Sequence, residues 1–388
     1  MRPRPAWALV TGLRLPRRPP SYAKPVALVL QGGGALGSYQ GGVYEALAES
    51  EYLPDWVAGI SIGAINAALI AGNAPERRVE RLRQFWEGVT PPFWPGLPSL
   101  DLGDAGRQAG ALRALLFGTP GFFHPQAAAW LRIPPPSSVY DTGPLRSTLE
   151  RLVDFDRINA RTVRFSVGAV NVRTGNFAYF DNTQLPIRVE HVMASGALPI
   201  SFPPVEIDGE FYWDGGLVSN TPLQYVLDST PRVSRLSFQV DLFPARGPVP
   251  ATIQEAQERE KDIRFSSRTR AATDGFATRH DFCYLIDQLW DKLPPELRAL
   301  DEAQALHGYG CKTSMDIVEL IYRTDVAQGQ SKDYEFSRAT METRWAQGRA
   351  DALATLRAAP WLAPAPSEVG VRTFDVLRPS YLPAVSVP

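Results

Sequence analysis

The order of residues predicts an α/β layer fold, and three observations carry that expectation. Short, continuous apolar runs alternate with stretches of helical spacing, which is how buried parallel strands and their crossover helices read. Glycine-rich turns stand where the first two runs end, at Gly32-Gly33-Gly34 and at Gly59-Ile60-Ser61-Ile62-Gly63. A chain of 388 residues, 44% hydrophobic and 21% charged, can bury such a sheet without staples.

Pro-rich stretches mark both ends, up to Pro25 and again from Pro360. Between them, Val26–Leu30 is the first buried strand and residues 39–47 have helical spacing. Trp56–Gly59 is the second strand, and Ile62–Ala71 a helix of small residues. Residues 164–170 and 235–242 read as further strands. Val205–Ile207 and residues 210–213 flank Asp208-Gly209, a two-residue hairpin signal. Beyond Pro250 the chain turns to charged helices. Residues 255–270 alternate in sign on helical spacing, as a solvated face does; residues 316–322 read as one more strand, and 332–357 as a charged helix. This region carries no recognisable chemistry. Between residues 85 and 130 stand Phe85, Trp86, Phe93, Trp94, Phe117, Phe122, Phe123 and Trp130, interrupted by Pro and Gly. That segment reads either as a mobile apolar cap over a lipid site or as an insertion packed on the core.

Composition excludes several classes. Lys plus Arg (40) balances Asp plus Glu (41), which argues against a nucleic-acid partner. Cys283 and Cys311 are too few for a disulfide scaffold or a thiolate metal site. With only His124, His191, His280 and His307, and no loop of EF-hand spacing, no metal or cofactor is expected. No apolar run reaches the roughly 18 residues of a membrane span. Residues 1–25 hold Arg2, Arg4, Arg14, Arg17, Arg18 and Lys24 and no acid. The apolar piece at 6–9 is too short for a signal peptide. The stretch reads as a disordered basic tail on a cytoplasmic protein, with weak anchoring to anionic lipid as the sharper alternative.

The only G-x-S-x-G lies between an apolar strand and a small-residue helix, the setting of a nucleophile elbow with Ser61 at its tip. A side chain at Gly59 or Gly63 would collide with the neighbouring strand or helix. Ser61 would also stand at a helix N-terminus, which favours developing negative charge. The string Gly32-Gly33-Gly34-Ala35-Leu36-Gly37 can aim backbone N–H groups at a tetrahedral oxyanion. It also satisfies the dinucleotide fingerprint, but that fold wants an acid at the end of the second strand, where this chain has Ser61. No histidine has the turn or strand-end context of a triad base. Asp214 does, because the hairpin delivers it directly before Gly215-Gly216. A carboxylate serves as base to a serine when a desolvated pocket raises its pKa. Asp208 reads as turn chemistry.

On these residues the chain resembles the patatin-like phospholipase family: GGGALG at 32–37, GISIG at 59–63, ASGALPISFPPV at 194–205, DGG at 214–216 and SNTP at 219–222. The resemblance covers residues 26–227. It implies a three-layer α/β fold with a mainly parallel central sheet. It also implies a mostly helical C-terminal extension, residues 228–388, packed on that core. It makes Ser61 the nucleophile and Asp214 its general base and then acid. Gly32, Gly33, Gly34 and Gly37 become the oxyanion hole, with Gly59, Gly63, Gly215 and Gly216 in support. The implied activity is calcium-independent hydrolysis of lipid acyl esters through an acyl-enzyme, with transient contact at a lipid surface. Many members carry Arg or Lys where this chain has Leu36, which weakens the inference of an anionic head group. A non-phospholipid carboxylesterase or an acyltransferase is the alternative, and an inactive lipid-binding scaffold the remaining one.

Overall fold

The computed structural model describes residues 17–90, 103–126, 136–310, 313–324, 329–366 and 368–377. Phe93, Trp94, Trp130, Cys311, the first 16 residues and the last 11 lie outside them.

In chain order the strands are β1 (Val26–Leu30), β2 (Trp56–Gly59), β3 (His124–Pro125), β4 (Tyr140–Asp141), β5 (Arg164–Asn171), β6 (Phe177–Asp181), β7 (Val205–Ile207), β8 (Glu210–Asp214), β9 (Arg235–Asp241), β10 (Met315–Ile321) and β11 (Val371–Phe374). β3 and β4 pair only with each other. The remaining nine form one sheet in the order β11-β10-β9-β1-β2-β5-β8-β7, with β6 also on β5. β11, β10, β9, β1, β2 and β5 run parallel, and the sheet turns antiparallel beyond β5.

β1 is buried on both faces, and its residues alternate between two cores. Val26, Leu28 and Leu30 face helices α1 (Ser38–Ala48) and α2 (Ile62–Ala71). Ala27 and Val29 face Leu223, Val226, Leu227 and Phe276 on the other side. Helix, sheet and helix make the three layers. Residues beyond 227 supply β9, β10 and β11, so the C-terminal region continues the sheet. It also adds helix Arg338–Ala358, which crosses α1 so closely that a side chain on Gly42 would overlap the Trp345 backbone.

Asp208 and Gly209 both take positive φ (51° and 84°), as the tight β7–β8 hairpin requires. The helical stretch expected at 255–270 stops earlier, as Ile253–Phe265; Arg268 takes φ 49° and a new helix, Thr269–Lys292, begins. The helix expected from 332 starts only at Arg338, capped by Ser337. Residues 332–337 stay outside it and are held elsewhere, the Lys332 and Glu335 carbonyls by Arg344 (2.9 and 3.3 Å) and the Asp333 carbonyl by the Ala35 N–H (2.8 Å). The basic N-terminal stretch is, in its described part, tied to the body: the Arg18 backbone bonds Glu51 and Lys24 pairs with Asp316 at 2.8 Å. Among the described residues no helix is long and apolar enough to cross a membrane.

Candidate active site

β2 ends at Gly59, and the turn into α2 leaves Ser61 at φ 55°, ψ −124°, a conformation L-residues rarely adopt. The elbow is held from beneath. Ser61 N–H donates to the Ser195 carbonyl (3.1 Å) and hydroxyl (3.0 Å), and Ser195 Oγ donates to the Gly168 carbonyl (2.7 Å). A Cβ on Gly59 would overlap the Gly63 carbonyl, and one on Gly63 the Leu30 carbonyl. The turn therefore closes this tightly only with glycine at both places.

Sheet register brings the carboxyl group to the serine. Gly59 lies opposite Val167 on β5, and Asp214 on β8 lies opposite Ala169. Ser61 is two residues past Gly59, and Ala169 two past Val167, so the two side chains arrive at the same level. Asp214 is 3% exposed. Burial pushes its carboxyl up to about 6, while the Ser61 hydroxyl and the Gly216 N–H, which donates to Oδ1 at 2.7 Å, pull it back.

The glycine loop runs against Ser61: a Cβ at Gly32 would come within 3.0 Å of Ser61 Cβ. Its N–H groups divide by position. Gly32 donates to the Asn220 carbonyl (3.1 Å) and Ala35 to the Asp333 carbonyl (2.8 Å). Gly33 and Gly34, which open the turn of helix Gly34–Gly37, have no acceptor among the described residues. The same is true of Ile62, first in α2. Gly32, Gly33 and Gly34 line the cavity beside Ser61 and Asp214, whereas Gly37 packs beneath, on Ile62 and Trp86. Gly37 is thus placed as a packing residue, and the Gly32 N–H is already committed.

That cavity, about 630 Å³, has a polar floor of Ser61, Asp214 and Asn220 and walls that include Phe122, Phe123, Phe202 and Phe336. Phe122 and Phe123 are buried in one aromatic cluster with Tyr140, Phe202 and Phe336. The described part of the aromatic segment is therefore wall as well as core. Phe85 and Trp86 lie in the core itself, and Phe117 is exposed.

Residues 28–227 match the family model described as patatin-like phospholipase. The chain belongs to the patatin-like phospholipase family. A second model, described as patatin phospholipase, matches residues 263–368. A patatin-like phospholipase domain-containing protein of Chaetomium globosum is 46% identical over 56 residues, 14% of this chain and 7% of its own. Among solved structures the chain is similar to VipD from Legionella pneumophila (15% identity, 86% of this chain, 66% of that one, TM-score 0.34). It is similar also to human GIVD cytosolic phospholipase A2 (12%, 56% and 43%, 0.31). A third is ExoU in its complex with SpcU from Pseudomonas aeruginosa (19%, 67% and 52%, 0.29). The chain spans less than two thirds of the length of each of these relatives.

Within this patatin-like site no histidine reaches the cavity. His191 is buried, accepts the Arg188 N–H at Nδ1 and packs on Phe180. His280 is buried against Gly370, His307 stacks on Trp290, and His124 pairs with Asp141 across β3–β4. Sequence reasoning missed four groups that the fold brings to the site. Ser195 braces the elbow. Asn220 clamps Gly32 by donating to its carbonyl at 3.0 Å. Lys261 and Asp333 come from the C-terminal region to line the cavity. Ser195, inside the ASGALPISFPPV string, and Asn220, inside SNTP, stood in segments the sequence had singled out, though neither was given a role.

Proposed function

We propose that this chain is a serine acyl hydrolase that cleaves lipid acyl esters, of phospholipase A or lipase type, through a Ser61–Asp214 dyad. The single observation that carries the reading is Ser61 on a strained elbow beside a buried carboxyl whose pKa is raised to about 6. Such a carboxylate is ionised at neutral pH and far more basic than an ordinary aspartate. Asp214 takes the Ser61 proton as Oγ attacks the ester carbonyl. The oxyanion forms toward the unoccupied N–H groups of Gly33, Gly34 and Ile62. Asp214 then returns the proton to the leaving alcohol. A water activated by the same carboxylate releases the acid and restores the serine.

The aromatic walls fit an acyl chain. At the rim Leu115 lines the cavity and, with Leu112, Leu116 and Phe117 on the same helix (Gly103–Phe117), is exposed, which suits transient contact of a cytoplasmic protein with a lipid surface. Leu36 is apolar and buried, so a neutral ester stands as the alternative to a phospholipid, and transfer to a non-water acceptor belongs to the same chemistry. Residues 26–227 hold both dyad members, and 228–388 complete the sheet and the cavity wall.

Turnover of a panel of phospholipid, neutral glyceride and short acyl esters by the wild type, Ser61→Ala and Asp214→Asn tests the reading. Loss in both variants with retained folding is expected. Full turnover in Ser61→Ala would overturn it, and wild-type lipid binding without turnover of any ester would point to an inactive scaffold.

A further inference from the structure

The oxyanion loop is held by a segment that lies nearly 300 residues away in the chain. Residues 329–336 cross the mouth of the glycine turn, and the Asp333 carbonyl accepts the Ala35 N–H at 2.8 Å. Gly34, at φ 54°, sits so close beneath it that a Cβ would overlap that carbonyl. Gly33 and Gly34, the donors assigned to the oxyanion, are therefore fixed from one side by Asn220 on Gly32 and from the other by Asp333 on Ala35.

The segment is itself pinned at almost every residue. Gly329 N–H donates to Glu258 (2.9 Å), and the Gln330 carbonyl accepts Lys261 Nζ (2.8 Å). Lys332, 6% exposed, lies between Glu258 (3.2 Å) and Asp262. Asp333 pairs with Lys261, and Arg344, 1% exposed, donates to the Lys332 and Glu335 carbonyls. Ion pairs so buried are poor sources of stability, because desolvation offsets their attraction. What they fix well is geometry, and the geometry fixed here is that of two catalytic donors.

We infer that residues 329–336 form a positioning strap for the oxyanion loop, with Lys332, Lys261 and Asp333 as positioning residues that act through Ala35 and Gly34. The inference rests on the acyl-hydrolase reading for its catalytic consequence, but not for its structural one. It also makes the C-terminal region part of the catalytic apparatus.

The test compares full-length wild type, Lys332→Met and, as an ion-pair control away from the segment, Arg349→Met, which severs the pair between the middle of helix Arg338–Ala358 and Glu49. Lys332 does not line the cavity, so substrate contacts are left alone. Two readouts are taken on folded protein: amide hydrogen exchange in the peptide spanning 31–37, and kcat and KM on a short acyl ester. The strap predicts faster exchange at Ala35 in Lys332→Met. It also predicts a fall in kcat of about 10- to 100-fold with KM within about twofold, and no change in Arg349→Met. Unchanged kcat and unchanged exchange in folded Lys332→Met would mean the segment is packing alone. An equal rise in exchange across the whole molecule would mean the same. Should Lys332→Met fail to fold, Lys261→Met decides on the exchange readout alone, since Lys261 lines the cavity, with Lys261→Arg restoring the slow exchange at Ala35. If the wild type turns over no ester, the acyl-hydrolase reading fails, and the exchange arm still decides the strap.

Discussion

Asp214→Asn separates the two consequences of burying a carboxyl beside Ser61. The carboxyl is 3% exposed and sits near 6 where an aspartate ordinarily sits at 3.8, chiefly because burial penalises its charge. At roughly 1.4 kcal/mol per pH unit, that difference is worth about 3 kcal/mol. The sign follows from proton binding: the folded protein holds this proton more tightly than the unfolded chain. The stabilisation is therefore complete below pH ~3.8 and lost as pH rises through about 6. Asparagine keeps an oxygen for the Gly216 N–H and never ionises. The variant is accordingly expected to match wild type near pH 4 and to exceed it by up to about 3 kcal/mol near pH 8, while turnover falls by a factor on the order of 10² to 10⁴. Denaturant midpoints of both proteins across that pH range, read beside initial rates, supply the assay. A difference in stability that does not change with pH, or a variant less stable than wild type at pH 8, would refute the reasoning.

Three further outcomes follow from the same geometry. The wild-type kcat/KM is expected to rise about tenfold per pH unit below 6 and level off above it, since only ionised Asp214 accepts the proton; a profile flat down to pH 5 would contradict this. Ser195→Ala removes the hydroxyl that accepts the Ser61 N–H and donates to Gly168. It should cost about 1–2 kcal/mol of stability and lower kcat more than KM, which rates and denaturant melts resolve together. Phe122→Ala opens the aromatic wall of the cavity; relative kcat/KM should shift toward bulkier acyl chains, at a stability cost of at most about 3 kcal/mol because the residue faces a cavity on one side, and an unchanged chain-length profile would place the acyl chain elsewhere.

The proposed pair, Ser61 and Asp214, was legible because each member announces itself locally. Ser61 lies between glycines that only a tight strand-to-helix turn requires, and Asp214 follows a hairpin whose turn residues, Asp208 and Gly209, take the positive φ their types favour. β1, β2 and α2 were read to the residue, since buried parallel strands and a small-residue helix leave continuous apolar runs. What was illegible depends on partners distant in the chain. The alternating charges of helix Ile253–Phe265 read as a solvated face, yet Glu258, Lys261 and Asp262 meet residues 329–333. Residues 332–337 read as part of a helix, but the carbonyls of Lys332 and Glu335 bond Arg344 and that of Asp333 bonds Ala35. In the glycine loop, which N–H groups are left for an oxyanion is decided by Asn220 and Asp333, and no local pattern encodes either contact.

The central claim is that Ser61 forms a covalent intermediate with help from Asp214. Incubation with a fluorophosphonate ester, followed by intact mass and peptide mapping, tests it most directly. The account predicts one adduct, on the peptide carrying Ser61, absent in Ser61→Ala and formed far more slowly in Asp214→Asn. An adduct on another residue, or none on folded wild-type protein, would contradict it.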